Sequence, residues 1–215
     1  MSKRDGDARR ATCVVLVFWL AACGGSSPVA PLGENINIAC LARASFSEPA
    51  ESDYVLPYPV GDARYVSQSY CFERGGHINQ LAYDFDAPIG ATVVAARAGS
   101  VIRAEDAFED VGTGTTSELN FLHIEHADGT VAFYAHLQQG GIVVEVGQFV
   151  DQGEPIATSG NSGSTGDRPH LHFQVLASAG RGGDNDIPVN FRNADGPLDD
   201  RRGLRRGITY RASRR

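Results

Sequence analysis

Lysine is nearly missing from this chain. Lys3 is the single one among 215 residues, and it stands in a short basic start with Arg4, Arg9 and Arg10. A domain that carries its cofactor on a turn lysine is therefore excluded once that start is removed. Long apolar runs are also missing. The apolar run near the start, Ala11–Ala22, is about half of the roughly 20 residues that a membrane-spanning helix requires. No HExxH pattern occurs, so no helix offers two histidines and a glutamate to a metal. No segment keeps a helical apolar period over three turns. Positive charge is in the minority, with 19 Lys+Arg against 26 Asp+Glu and a formal charge of −7, which speaks against nucleic acid as a partner.

What is present begins with an export signature. A basic start followed by a short apolar core suits a signal peptide over residues 1–22. It ends in Leu20-Ala21-Ala22-Cys23, which resembles the lipobox of bacterial lipoproteins, where cleavage falls just before a cysteine that is then lipidated. Cys23 is the expected lipidation site, and acyl chains bury at about 0.8 kcal/mol per CH₂. Loss of the leader takes four bases and two acids with it and moves the formal charge from −7 to −9. Gly24, not Asp, follows Cys23, which favours the outer membrane, facing the periplasm. Cys13 leaves with the leader, so Cys40 and Cys71 remain as a plausible disulfide in an oxidising compartment.

Residues 23–58 hold several Pro, Gly and Ser without clear periodicity and read as a lipidated N-terminus and linker. From 59 to 192 short β-prone segments alternate with glycine-marked turns, which predicts an all-β domain of antiparallel strands. Strands are expected at Thr92–Ala96, Phe121–Glu125, Val131–His136, Ile142–Val146 and Leu171–Val175, with an edge strand at Ile187–Phe191. Residues 104–118 read as an acidic loop. Residues 193–215 contain seven arginines and read as a solvated basic tail.

Histidine carries the chemical signal. In His170-Leu171-His172-Phe173-Gln174-Val175, strand alternation puts His170, His172 and Gln174 on one face and the apolar trio on the other. The same alternation predicts that Tyr134 and His136 share a face in Phe133-Tyr134-Ala135-His136-Leu137. His77 precedes Asp84 and Asp86, and imidazole with carboxylate is a good zinc donor set. Spacing alone does not choose between the two aspartates.

The ordered series of His77, Asp84-Phe85-Asp86-Ala87-Pro88-Ile89-Gly90, Tyr134-Ala135-His136-Leu137, the Gly-rich turn Ser159-Gly160-Asn161-Ser162-Gly163, and His170-Leu171-His172-Phe173 resembles the lysostaphin-type (LytM-like) zinc metallopeptidases. The resemblance runs from about Val66 to Val175. It implies the duplicated hybrid motif fold, an antiparallel sheet or sandwich with an open substrate groove. It implies one Zn²⁺ held by His77, Asp84 and His172, with Asp84 preferred over Asp86 by its offset from Ala87-Pro88. His136 and His170 become the non-ligand, catalytic histidines. His170 is the candidate general base, and His136 stabilises the oxyanion or protonates the leaving amine, with the two assignments open to exchange. Better-known members have histidine four residues before the aspartate; that position is Gln80 here, so His77 is the substitute. The implied function is zinc-dependent endopeptidase cleavage of amide bonds in peptidoglycan. Partners are peptidoglycan, a membrane through the N-terminal lipid, and a regulatory envelope protein. The alternative within the family is an inactive scaffold or amidase activator.

Overall fold

The computed structural model describes residues 37–72, 76–179 and 185–214, so Cys23 and the expected leader lie outside the described residues. The described part is almost wholly β. One four-residue helix, α1 (Ile38–Leu41), precedes the strands β1 (Ala63–Gln68), β2 (Ala82–Asp86), β3 (Thr92–Val94), β4 (Gly99–Glu105), β5 (Phe121–Glu125) and β6 (Val131–Ala135). The series continues with β7 (Leu137–Ile142), β8 (Phe149–Val150), β9 (Pro155–Ser159), β10 (His170–Leu176), β11 (Asp186–Ile187), β12 (Ala194–Asp195) and β13 (Thr209–Ala212). Among the described residues these form two antiparallel sheets. The larger runs β12-β13-β1-β2-β10-β6-β5-β4-β8, with β11 also pairing β10, and the smaller runs β3-β9-β7.

The central strands owe their place to period-two alternation. On β10, Leu171, Phe173 and Val175 enter the core, where Phe173 meets Tyr134 of β6 and Phe191 at ring distances of 5.2 and 5.6 Å. Tyr83 and Phe85 of β2 join the same apolar cluster, as do Leu122 and Ile124 of β5 and Val101 of β4. Side chains of the opposite parity are left on the other face of the sheet. That face carries His172, Asp84, Phe133, Phe121 and Arg103, paired row by row in the registers of β2, β10, β6, β5 and β4.

Several expectations need correction. The fold does not start at 59 or stop at 192. Phe46, Leu56 and Tyr58 are buried before the first limit, and Leu204, Tyr210 and Ala212 after the second. The supposed solvated tail supplies β13, which pairs β1 through Arg64↔Tyr210. Its Thr209-Tyr210-Arg211-Ala212 run alternates exposed and buried residues, a strand pattern that the arginine count obscured. Ile142–Val146 is not a strand: β7 ends at Ile142, and residues 143–148 turn back through Gly147 at φ 92°. The edge strand near 187–191 shrinks to Asp186–Ile187, and Phe191 is a core residue instead.

Candidate metal centre and its histidines

Two neighbouring strands bring the central pair together. β2 and β10 run antiparallel with Asp84 directly opposite His172 and Asp86 opposite His170. His172 and Asp84 both sit on the non-core face, and their Nδ1 and Oδ1 atoms lie 3.0 Å apart. His77 arrives from the irregular segment before β2. A turn closed by Gln80 N–H donating to the His77 carbonyl (3.3 Å) swings its ring back over the sheet. Its Nε2 then lies 3.0 Å from Asp84 Oδ1 and 3.1 Å from His172 Nδ1. All three residues are buried. They are the one group among the described residues whose donor atoms converge within 4.8 Å in the manner of a metal site. Asp86 is not part of it.

The hydrogen bonds at the back of each ring settle what the front offers. His77 Nδ1–H donates to the Ser69 carbonyl at 3.1 Å, and His172 Nε2–H donates to Gln174 Oε1 at 3.0 Å. In a neutral imidazole this leaves a lone pair on His77 Nε2 and on His172 Nδ1. These two lone pairs and a carboxylate oxygen thus form a triangle about 3 Å on a side with no proton to share among them. Three such acceptors repel one another unless a cation stands between them. Tetrahedral zinc bonds of about 2.0–2.1 Å place neighbouring donors a little over 3 Å apart, so the donor set and its spacing fit zinc. Without a cation the carboxylate must act as the counter-charge. Burial opposes ionisation of Asp84, yet His77 and His172 hold it well below the usual carboxylate range. Burial likewise works against charge on His77, and Asp84 outweighs it, so His77 is raised.

Two further histidines stand beside this triangle. His170 donates from Nδ1 to the Arg168 carbonyl (2.7 Å) and turns Nε2 to within 3.7 Å of Asp84 Oδ2. His136 donates from Nδ1 to the Ser162 carbonyl (2.8 Å), and its ring lies 4.5 Å from that of His170. Both therefore present an unprotonated Nε2 when neutral. Burial, then the neighbouring His170 and His172 rings, which disfavour a further positive charge, pushes His136 down to about 3. His136 does not share a face with Tyr134, contrary to strict alternation. Tyr134 lies in the core, its hydroxyl accepting the Ala96 N–H at 2.8 Å. His136 follows the end of β6 with φ at 59°, and this left-handed residue turns its ring to the site face.

Sequence reasoning missed the supports. Ser69 and Gln174 fix the tautomers of the two donor histidines. Asn120 holds the turn behind His136: its backbone N–H donates to Ser162 Oγ (3.0 Å), and its side chain bonds Phe108 and the Leu137 carbonyl. Gln174 was within reach of alternation, being two residues beyond His172. Ser69 was not, because its contribution is a backbone carbonyl.

The family model described as peptidase family M23 matches residues 79–189, more than half of the chain. The chain belongs to peptidase family M23. Asp84, His136, His170 and His172 lie inside the matched segment of this M23 chain, and His77 lies two residues before it. Among curated relatives, Peptidoglycan DD-endopeptidase ShyB of Vibrio cholerae is 37% identical over 148 residues, covering 66% of this chain and 30% of ShyB. Uncharacterized lipoprotein YgeR of Escherichia coli is 28% identical over 127 residues, covering 59% of this chain and 40% of YgeR. The M23 chain thus spans 30–40% of the length of these two relatives. Among solved structures, the catalytic domain of lysostaphin from Staphylococcus simulans is 26% identical, with 59% of this chain and 87% of that one covered and a TM-score of 0.44.

Proposed function

We propose that this M23 chain is a zinc-dependent endopeptidase that hydrolyses amide bonds in peptidoglycan stem peptides or cross-links. The observation that carries the reading is the buried triangle of His77 Nε2, Asp84 Oδ1 and His172 Nδ1, with two imidazoles of free Nε2 beside it. A zinc ion held by His77, Asp84 and His172 would supply Lewis acidity to a water and to the scissile carbonyl. The chain's own groups do the rest. His170 accepts a proton at Nε2, and the imidazolium so formed is stabilised by Asp84 Oδ2 at 3.7 Å. His136, ring against ring with His170, is the second polar group at the reacting carbon and serves the oxyanion or the leaving amine. Ser69, Gln174, Ser162 and Arg168 keep the four rings in these orientations.

Peptidoglycan as substrate is supported by the resemblance of the motifs and by 37% identity to a relative named for DD-endopeptidase action on it. Export and a lipid on Cys23 rest on the leader and lipobox pattern, and a relative named as a lipoprotein agrees with it. An outer-membrane position facing the periplasm and a regulatory envelope partner complete the proposal. The test uses residues 24–215 incubated with purified cell-wall sacculi, with and without a zinc chelator, and mass spectrometry of released fragments. New amine ends that vanish with chelator are expected, and their masses name the bond. Sacculi left intact by folded, zinc-supplied protein would sink the endopeptidase reading in favour of the scaffold.

A further inference from the structure

On the solvent face of a sheet, alternation calls for polar residues, yet here the face beside the metal site is lined with rings. Phe133 of β6 lies 5.8 Å from the His172 ring. His123 of β5 lies 4.9 Å from Phe133, and Phe121 lies 5.1 Å from His123. The registers put Gln174, Phe133, His123 and Arg103 in one row across four adjacent strands. The row floors a trough of about 680 Å³ walled on one side by the loop around Thr116 and Ser117. Gln174 is common to both places: it lines the trough and accepts the hydrogen bond of His172.

Arg103 ends this row. Its guanidinium lies 5.0 Å over the Phe121 ring, and among the described residues it makes no carboxylate ion pair within 4.0 Å. Glu105, the acid in the next row, also lines the trough, and its Oε1 accepts the Ala107 N–H at 3.2 Å. Burial, then Arg103, pushes His123 down to about 4, so at neutral pH the positive charge of the row belongs to Arg103. At about 4.8 Å per strand, Arg103 stands roughly 14 Å across the sheet from β10. An extended peptide advances about 3.3 Å per residue, so about four residues span that distance.

We propose that this ring-lined trough seats one arm of the substrate peptide and that Arg103 receives a carboxylate carried by that arm. The inference rests on the peptidase reading above and adds the determinant of which peptides are taken. Flat rings accept the peptide backbone and small side chains with little selectivity. A guanidinium without an acid partner discriminates, because its planar fork matches a carboxylate and gains little from a carboxamide.

The experiment compares two peptidoglycan peptide dimers that differ only in having their free carboxylates intact or converted to carboxamides. With residues 24–215 loaded with zinc, the intact dimer should be favoured at least tenfold in kcat/KM, chiefly through KM. Arg103→Gln should abolish that preference by weakening the intact dimer alone, with bound zinc unchanged. Phe133→Ala should raise KM for both dimers. Hydrolysis with equal use of both dimers, or a preference that survives Arg103→Gln, would overturn the proposal and leave the peptidase reading standing. Calorimetric binding of the same dimers separates the converse case. Carboxylate-dependent binding without hydrolysis keeps the trough and removes the peptidase reading, and no binding with no hydrolysis removes both.

Discussion

At the residue scale, the five polar groups of the centre differ in what they hold, and substitution separates them. His172→Ala should lose both the metal and hydrolysis, whereas His170→Ala should keep stoichiometric zinc and lose about 10²–10⁴ in kcat, read by metal analysis beside single-turnover rates. Gln174→Leu removes the acceptor behind His172 and should weaken zinc binding by about 10–100-fold with the fold retained. Away from the centre, burial holds His123 near 4 in the folded protein against 6.5 for the free side chain, and it lowers His126 as well. The unfolded chain therefore takes up protons that the folded one refuses between pH 6.5 and 4. Stability contributed by the neutral rings is complete above 6.5 and is lost as pH falls through that window. A thermal melting series from pH 7.5 to 4.5 should show His123→Gln losing less Tm than the parent chain. The chemistry of the donors was legible residue by residue, since His170, His172, Asp84 and His136 stand in recognisable order. The orientation of His136 was not, because one left-handed residue overrides the alternation on which the reading relied.

At the scale of elements, two strands and one irregular segment assemble the centre, and they differ in how firmly they are held. Asp84 and His172 are fixed by the β2–β10 register, in which a one-residue slip of either strand would send its own donor to the core face and part the pair. His77 has no ladder. Its segment is anchored by the Cys40–Cys71 disulfide, by Cys71 N–H donating to the Gln80 carbonyl (2.9 Å), and by Ser69, whose hydroxyl donates to the Leu204 carbonyl (2.7 Å). Asp186 adds a knot, accepting from Leu81 N–H at 2.6 Å and pairing Arg43 at 2.5 Å. Replacing both cysteines by serine should cost roughly 3 kcal/mol of stability. It should also lower zinc affinity through His77, measured by competition with a chromophoric chelator. Unchanged affinity in the folded double variant would show that the disulfide serves stability alone. The strands β5 and β10 were legible from periodicity, but the turn that delivers His77 was not, because the irregular chain between His77 and β2 carries no period.

At the scale of the whole molecule, the segments on either side of the central β domain are part of its core. Tyr58 donates its hydroxyl to the Tyr210 carbonyl, and Leu204 N–H donates to the Tyr83 hydroxyl behind β2. A chain ending at residue 192 should therefore lose cooperative unfolding in a calorimetric scan, because Leu204, Tyr210 and Ala212 leave the apolar cluster and β1, stripped of β13, becomes an exposed edge strand. A truncated chain with an unaltered transition would contradict this. The β class, the histidine and aspartate set, the family resemblance and the leader pattern are written into the order of residues, because alternation, residue chemistry and ordered motifs are local properties of the chain. Only the folded chain shows how the His77 ring is brought back onto Asp84 and His172, that His136 turns out of its strand, and that the arginine-rich end is a strand of the main sheet. Each of these depends on contacts between residues distant along the chain, such as Asp84 with His172 and Arg64 with Tyr210, and no local pattern encodes which partner a strand will find.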